Sequence, residues 1–446
     1  MNNDDQIKVV IIGGGPAALE AAKTAQLYSD NIKIISNRTS GDWGKLGWSN
    51  GIIEQCREQL TWIDILHKTN QKLEKWSNNI NEYLIDKKIE TIIGHVIQVN
   101  PEYVVVDTDG KETYFPYDKL FIAVGSSPVF PKGFEPDGKF IFSPQSIESL
   151  VELPKSILII GNGPISYEYA SIFNYFGVQI KWLVPEEGPF TPFDPIIHTH
   201  LNNLFMKRGI ELIQGPFINR LIVKDNMVTA IRENGKEYTA EKAFFSIGFR
   251  SNIDSIKFDG LDFQTQEGNI DVNEYGQTSY SNIYVIGDAR NANSASLSMQ
   301  QGRLSVIHAF EPQKLPDFHS HPPVSFSFNP QVGVVGNADE KDEYFVANIN
   351  PSRFKTSSTN PNEEIIKITY TNKGEIKAAV VIGEYASDLI NLIGLAIYFK
   401  INIADLSNFY TAHPSYNEVI LTIIREIELL RSKSLEGNLI KYVPKF

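Results

Sequence analysis

Residues 9–23 read Val9-Val10-Ile11-Ile12-Gly13-Gly14-Gly15-Pro16-Ala17-Ala18-Leu19-Glu20-Ala21-Ala22-Lys23. Four consecutive apolar residues without polar alternation are the pattern of a strand buried on both faces, as in a parallel sheet. The glycines permit a tight turn, and the run from Leu19 to Lys23 reads as helix. Ile32 to Ile35 supplies a second strand, so the stretch is one βαβ unit. A glycine turn at a helix N-terminus presents backbone N–H groups with no Cβ in the way, and the helix dipole adds attraction; that suits a pyrophosphate. Gly13 and Gly15 fit the turn and the close approach. Pro16 and Ala17 follow, and Ala18 takes the third, helix-packing position. The second strand ends at Ser36 and Asn37, where an acidic residue ordinarily holds a ribose hydroxyl. Either side chain is able to hydrogen-bond a ribose without an ion's strength.

The same pattern returns downstream. Ser156 to Ile160 is a strand, Gly161-Asn162-Gly163-Pro164-Ile165-Ser166 the turn, Tyr167 to Ala170 the helix opening and Ile180 to Val184 the next strand. One such motif is weak evidence of a dinucleotide fold; two, each in strand–turn–helix context, are much stronger. Tyr103 to Asp107 and Thr113 to Phe115 read as a β insertion. Leu120 to Val124 and Ala243 to Ile247 read as apolar strands ending at Gly125 and Gly248. Pro154 marks a boundary. Glu311 to Pro323, rich in proline and histidine, reads as a linker. Strands near 332–335, 344–347, 365–370 and 378–382 then precede helices near 385–399 and 414–430, an α+β arrangement.

The 446 residues leave room for about three domains of ordinary size. With 41 basic and 53 acidic residues the net charge is −12, which argues against a nucleic-acid binder and against docking on anionic membranes. Cys56 is the only cysteine, so an intrachain disulfide and a cysteine zinc cluster are excluded. The polar N-terminus does not read as a signal peptide, and the apolar stretch 378–399 carries Glu384 and Asp388, so it is a poor membrane span. A cytoplasmic location is expected.

From Ile7 to beyond Glu418 the order of motifs resembles the flavoprotein pyridine nucleotide-disulfide reductases, the family of dihydrolipoamide dehydrogenase, glutathione reductase, mercuric reductase and soluble transhydrogenase. The resemblance implies two doubly wound α/β dinucleotide-binding domains plus a C-terminal α+β dimerisation domain. It places the FAD-binding domain at 1–150 and 251–318, the NAD(P)-type domain at 151–250 and the dimerisation domain at 319–446. The strand ending at Ala123 and Gly125 is similar to the family's strand beside FAD. Thr278 through Gly287 and Asp288 looks like the second FAD motif, whose aspartate holds the ribityl chain. Ser294, Ala295 and Ser296 look like the start of the helix aimed at the flavin, with Ser294 a fair N-cap. His413-Pro414-Ser415-Tyr416-Asn417-Glu418 resembles the family's His-Pro…Glu signature, in which the histidine serves the partner subunit's site and the glutamate orients it.

The chain departs from that family at its working centre. The two positions of the Cys-x4-Cys disulfide hold Trp43 and Trp48, and indole cannot exchange with disulfides. The tryptophans either stack on the flavin or a flat substrate, or fill the space of a lost site. Cys56 reads as a buried helix cysteine. The lysine that follows the second cysteine is Ile52 here, while its partner glutamate is kept as Glu168. A buried carboxylate without its lysine ionises less readily and either takes a proton-transfer role or meets water. At the second turn Gly161 and Gly163 remain, Ser166 replaces the third glycine, and Pro164 replaces the tyrosine that gates the nicotinamide. Val184-Pro185 offers no ribose ligand; Glu186 and Glu187 lie close. His198-x-His200 and His319-x-His321 fall near prolines, read as solvent-facing loops, and suggest no metal.

The expected function is therefore an FAD-dependent oxidoreductase of a homodimer, passing electrons from NAD(P)H to a small non-disulfide acceptor such as a quinone or another nucleotide. The alternatives are an FAD-binding redox sensor or scaffold without NAD(P)H turnover, and a flavoprotein reduced by a carrier protein.

Overall fold

The computed structural model describes residues 6–38, 47–56, 60–186, 194–266, 269–316, 318, 320–327, 329–339, 341–348 and 364–435. They form two compact units. The first comprises residues 1–138, 142–152 and 247–318, and the second residues 139–141, 153–246 and 319–446.

The first unit is built on the opening strand. Val9–Ile12 lies at the centre of a parallel sheet in the order Ile283–Val285, Lys119–Ile122, Val9–Ile12, Ile32–Ser36, Glu90–Ile93. All four of its side chains are buried, and each buried Val or Ile contributes about 1.5–3 kcal/mol. Helix α1 (Pro16–Ala25) follows the turn. Helix α2 (Gly47–Gln55) and the long α3 (Trp62–Asp86) come after the second strand. Thr61 caps α3 by accepting from the Asp64 amide, and the Trp62 indole donates to the Leu150 carbonyl at 2.6 Å. The expected β insertion is Tyr103–Thr108 paired antiparallel with Lys111–Pro116. Asp109 and Gly110, both at positive φ, make the tight turn between them.

The second unit repeats the architecture. Glu211–Gln214, Gln179–Val184, Ser156–Ile160 and Lys242–Phe245 are parallel neighbours in that order, with helices α4 (Pro164–Tyr175) and α5 (Pro195–Lys207) in the crossovers. An antiparallel sheet of Ile218–Lys224, Met227–Arg232 and Glu237–Ala240 follows. His198 and His200 lie in α5, which corrects the loop reading of the sequence. Asp194 accepts from the Ile196 amide and Pro195 occupies the first turn, so the proline opens a helix. Two residues apart on a helix, the histidines point in different directions; the His198 ring meets Asn202 at 3.0 Å. His319 lies outside the described residues.

Helix α6 (Ala295–Phe310) belongs to the first unit and crosses α1 closely: a Cβ at Gly302 would lie 2.3 Å from the Ala17 carbonyl oxygen. The C-terminal part is an antiparallel sheet in the order Val324–Phe326, Val332–Gly336, Ile376–Ile382, Ile365–Tyr370, Glu343–Asn348. It carries helices α7 (Ala386–Tyr398), α8 (Ile403–Ser407) and α9 (Asn417–Leu435). The short α8, capped by Asn402, had no counterpart in the sequence reading. Among the described residues no helix is long and apolar enough to cross a membrane.

Candidate functional site

The C-terminal ends of the central strands carry the first constellation, at the place where strand order reverses and α/β sheets bind ligands. Gly13 leaves the strand with φ +114°, and a Cβ there would lie 2.1 Å from the Ala123 carbonyl oxygen. Its amide donates to the Ile35 carbonyl at 2.7 Å. Gly15 is the N-cap of α1. It provides no side-chain cap, and a Cβ built there meets nothing within 4 Å. Pro16 begins the helix, so its missing N–H is one that the first turn could not bond internally. Ala17 and Ala18 are buried. An uncapped helix start behind an open glycine, with no acid in the first turn, fits the pyrophosphate of FAD.

The neighbouring strands converge on it. The Ala123 amide donates to the Ile12 carbonyl at 2.7 Å, and Gly125 adopts φ +69° with open space where a Cβ would stand. Gly287 donates its amide to Gln301 Oε1 at 2.9 Å and has its Cα face against Ala17. Asp288 follows in a 3-10 turn, half-buried. Its Oδ2 accepts from Ser126 at 3.2 Å, and its Oδ1 accepts from the Asn293 amide at 3.0 Å and Ser298 at 3.5 Å. Ser294 caps α6 through the Leu297 amide, so Ala295 stands at the helix start. The two ribose candidates differ: Ser36 is buried with its hydroxyl accepting from the Arg38 amide, whereas Asn37 is exposed.

Trp48 is buried in α2 at 4 % exposure, and Ile52, one turn on, is fully buried. Trp43 lies outside the described residues. Cys56 is buried just beyond α2, and burial pushes its thiol up to about 11, away from the reactive thiolate.

The second turn copies the first. Gly161 has φ +139°, and a Cβ there would lie 2.1 Å from the Ser246 carbonyl oxygen. Gly163 is an uncapped N-cap with open space at its Cβ, and Pro164 begins α4. Glu168 and Ser166 are buried in α4, and the Ser166 hydroxyl makes no hydrogen bond among the described residues. The Trp182 indole braces the turn by donating to the Gly161 carbonyl at 2.8 Å. Val184 is buried, and its carbonyl accepts from Arg232 and the Gly215 amide, each at 3.2 Å. Glu186 is exposed; Glu187 lies outside the described residues. Arg232, which also donates to the Ile213 and Pro216 carbonyls, was not anticipated, because one arginine in a strand carries no local signal of burial.

Near the C-terminus, His413 Nδ1 meets Glu418 Oε2 at 2.9 Å, and the Ser415 amide donates to Glu418 Oε1 at 2.7 Å. The His413 hydrogen bond, reinforced by that amide, holds the Glu418 carboxyl below its ordinary range. Nδ1 is thereby occupied, and the largely exposed ring presents Nε2 outward. Among the described residues no group of three or more His, Cys, Asp or Glu is placed to hold a metal.

Comparison with known proteins agrees with this geometry. Residues 7–303 match the pyridine nucleotide-disulphide oxidoreductase family, and residues 318–424 match its dimerisation domain. Dihydrolipoyl dehydrogenase of Bacillus subtilis is 25% identical over 92% of this chain and 96% of its own length. A soluble pyridine nucleotide transhydrogenase of Mycobacterium bovis is 26% identical over 68% of this chain and 70% of its own. Two solved structures share the fold. LpdA from Mycobacterium tuberculosis has a TM-score of 0.86 at 19% identity, covering 94% of this chain and 99% of its own. RclA from Escherichia coli, described as an HOCl-induced flavoprotein disulfide reductase, has 0.83 at 19% identity, with the same coverage. With a match over residues 7–303 and a dimerisation domain behind it, the chain belongs to the FAD-dependent pyridine nucleotide-disulphide oxidoreductase family.

Proposed function

We propose that the protein is a homodimeric FAD-dependent oxidoreductase that takes electrons from NAD(P)H and passes them to a small acceptor other than a disulfide. The acceptor in this reading is a quinone-like aromatic or a second nucleotide. The observation that carries this reading is the position of Trp48. It is buried in α2 where the relatives' second cysteine is expected, and the chain's only thiol, Cys56, is buried and protonated. Bound FAD supplies two-electron acceptance and donation.

The chain's own residues do the rest. Backbone amides behind Gly13 and Gly15 bind the FAD pyrophosphate, Asn37 its ribose, and Asp288 the ribityl hydroxyls, with Ala123, Gly125, Gly287 and Ala295 allowing close approach. Gly161 and Gly163 bind the pyrophosphate of NAD(P)H, with Val184 closing the edge of that site. Trp48, buried in α2, leaves no sulfur there to relay electrons. His413, oriented by Glu418, holds the proton that the reduced acceptor needs. Glu168, buried in α4, is a second proton holder. In this reading residues 1–150 and 251–318 bind FAD, 151–250 bind the nucleotide and 319–446 dimerise.

The test is an anaerobic titration of the yellow protein with NADH and with NADPH, followed by turnover with menadione, lipoamide and glutathione disulfide. Prompt bleaching and menadione turnover without disulfide turnover are expected. Turnover of either disulfide at a rate matching menadione overturns the acceptor class. A flavin that neither nucleotide bleaches overturns the donor.

A further inference from the structure

The turn that joins strand Ile376–Ile382 to α7 is Gly383-Glu384-Tyr385, and Tyr385 lies in the left-handed region with φ +65° and ψ +19°. Tyr385 is also the N-cap of α7. Its carbonyl accepts from the Asp388 and Leu389 amides, and its side chain gives no capping hydrogen bond. Two independent preferences therefore oppose tyrosine here. Left-handed backbone favours glycine or asparagine, and a bulky residue there is strained. A helix N-cap favours serine, threonine, aspartate or asparagine, whose side chains satisfy an otherwise unbonded amide. Asparagine serves both.

What the side chain does instead is reach the His413–Glu418 segment. The Tyr385 ring packs on the Tyr416 ring with centroids 4.2 Å apart and planes tilted by 35°. Tyr416 stands between the two members of the dyad. Its carbonyl accepts from the Val419 amide, and the preceding residue gives its amide to Glu418. Tyr416 also packs, partly buried, against the core under α7 and α9. The Tyr385 ring thus fixes the residue from which the loop carrying His413 and the helix carrying Glu418 both depart. Strain kept at such a place, where local preferences favour another residue, is the kind that accompanies function.

We infer that Tyr385 is a positioning residue for the His413–Glu418 dyad, acting through its ring contact with Tyr416. The inference rests on the reading that this dyad handles the acceptor's proton. The experiment compares Tyr385→Asn, which satisfies the backbone and the cap but removes the ring, with Tyr385→Phe, which keeps the ring. The flavin-loaded dimer is assayed with the better nucleotide and menadione. The Glu418 carboxyl is titrated by NMR with 13C-labelled glutamate, its signal assigned with Glu418→Gln.

For Tyr385→Asn we expect kcat to fall roughly tenfold at unchanged KM, a small part of what a general acid supplies. The Glu418 titration should move up toward the ordinary carboxylate value, while the melting temperature holds or rises. Tyr385→Phe should match the parent in all three. Unchanged kcat and unchanged Glu418 titration in Tyr385→Asn overturn the inference. So does a large drop in its melting temperature, which would assign the ring to packing. If His413→Gln keeps full turnover, the proton-handling reading fails; the Glu418 titration of Tyr385→Asn then still decides the positioning by itself.

Discussion

Replacing Gly13 by alanine tests the core of the proposed flavin site. At φ +114° an L-residue is strained, at a cost of about 1–3 kcal/mol. The new methyl would stand 2.1 Å from the Ala123 carbonyl oxygen, a backbone atom that cannot swing aside. Separating them moves the turn or the adjoining strand, an overpacking cost of about 1–3 kcal/mol. Together the two give about 2–6 kcal/mol, which at 1.4 kcal/mol per decade is roughly 30-fold or more in FAD affinity where the turn yields. Where it does not yield, the same energy appears as lost stability of the apoprotein. Gly15→Ala is the companion: its methyl meets no atom of the described residues, so the apoprotein should melt unchanged while FAD, proposed to approach that face, binds less tightly. Gly161→Ala should weaken ADP-ribose binding and leave the flavin in place, because its methyl meets only the Ser246 carbonyl and Ser166 of the second unit. Flavin per chain from 450 nm absorbance, apoprotein melting and calorimetric titration with ADP-ribose read the set. Full flavin content and unchanged melting in Gly13→Ala would refute the reasoning.

Other perturbations follow from the same geometry. Cys56, with its thiol pushed up to about 11 by burial, should react with iodoacetamide at pH 8 roughly 200-fold more slowly than an ordinary exposed thiol; stoichiometric labelling within minutes on the native protein would contradict this. Arg232→Met removes the donor to the Val184, Ile213 and Pro216 carbonyls and should destabilise by about 2–4 kcal/mol, read as a lowered urea midpoint. Because the folded-state carboxyl of Glu418 is depressed by His413 and the Ser415 amide, its contribution is present above its unfolded value of about 4.3 and is lost as pH falls through the folded value. The melting advantage of the parent over Glu418→Gln should therefore be visible at neutral pH and vanish in acid; an advantage that persists at pH 2 would show that charge is not its source.

Much of the fold is legible because its strands are buried on both faces. Val9–Ile12 and residues 157–160 and 120–122 announce themselves as unbroken apolar runs, and Gly-x-Gly-Pro marks where each turn begins. The His413–Glu418 pair was expected from the resemblance to the family's His-Pro…Glu signature, and the two side chains meet at 2.9 Å. What escaped reading depends on partners distant in sequence or on ambiguous local signs. Pro195 looked like a loop residue, yet Asp194-Pro195 is equally a helix start, and only the packing of Ile197 and Leu201 decides between them. Arg232 reads as a surface residue until three strand-end carbonyls are seen around it. Ser36 and Asn37 were equivalent in sequence and are separated by burial and by the Arg38 amide, which engages Ser36.

The broken course of the first unit bears on the order in which the protein is made. Its sheet needs Ile283–Val285 beside Lys119–Ile122, and its helix α1 needs α6 across Ala17. Residues 153–246, which belong to the second unit, are synthesised in between. From residue 152 to the end of α6 a ribosome needs roughly ten to thirty seconds at ~5–20 residues per second. During that interval the nucleotide-binding sheet of the second unit is complete, while the opening βαβ segment waits with the Ala17 face of its helix uncovered. With Asp288 and Ala295 holding the flavin as proposed, its capture waits for these residues to emerge rather than for the glycine turn made first.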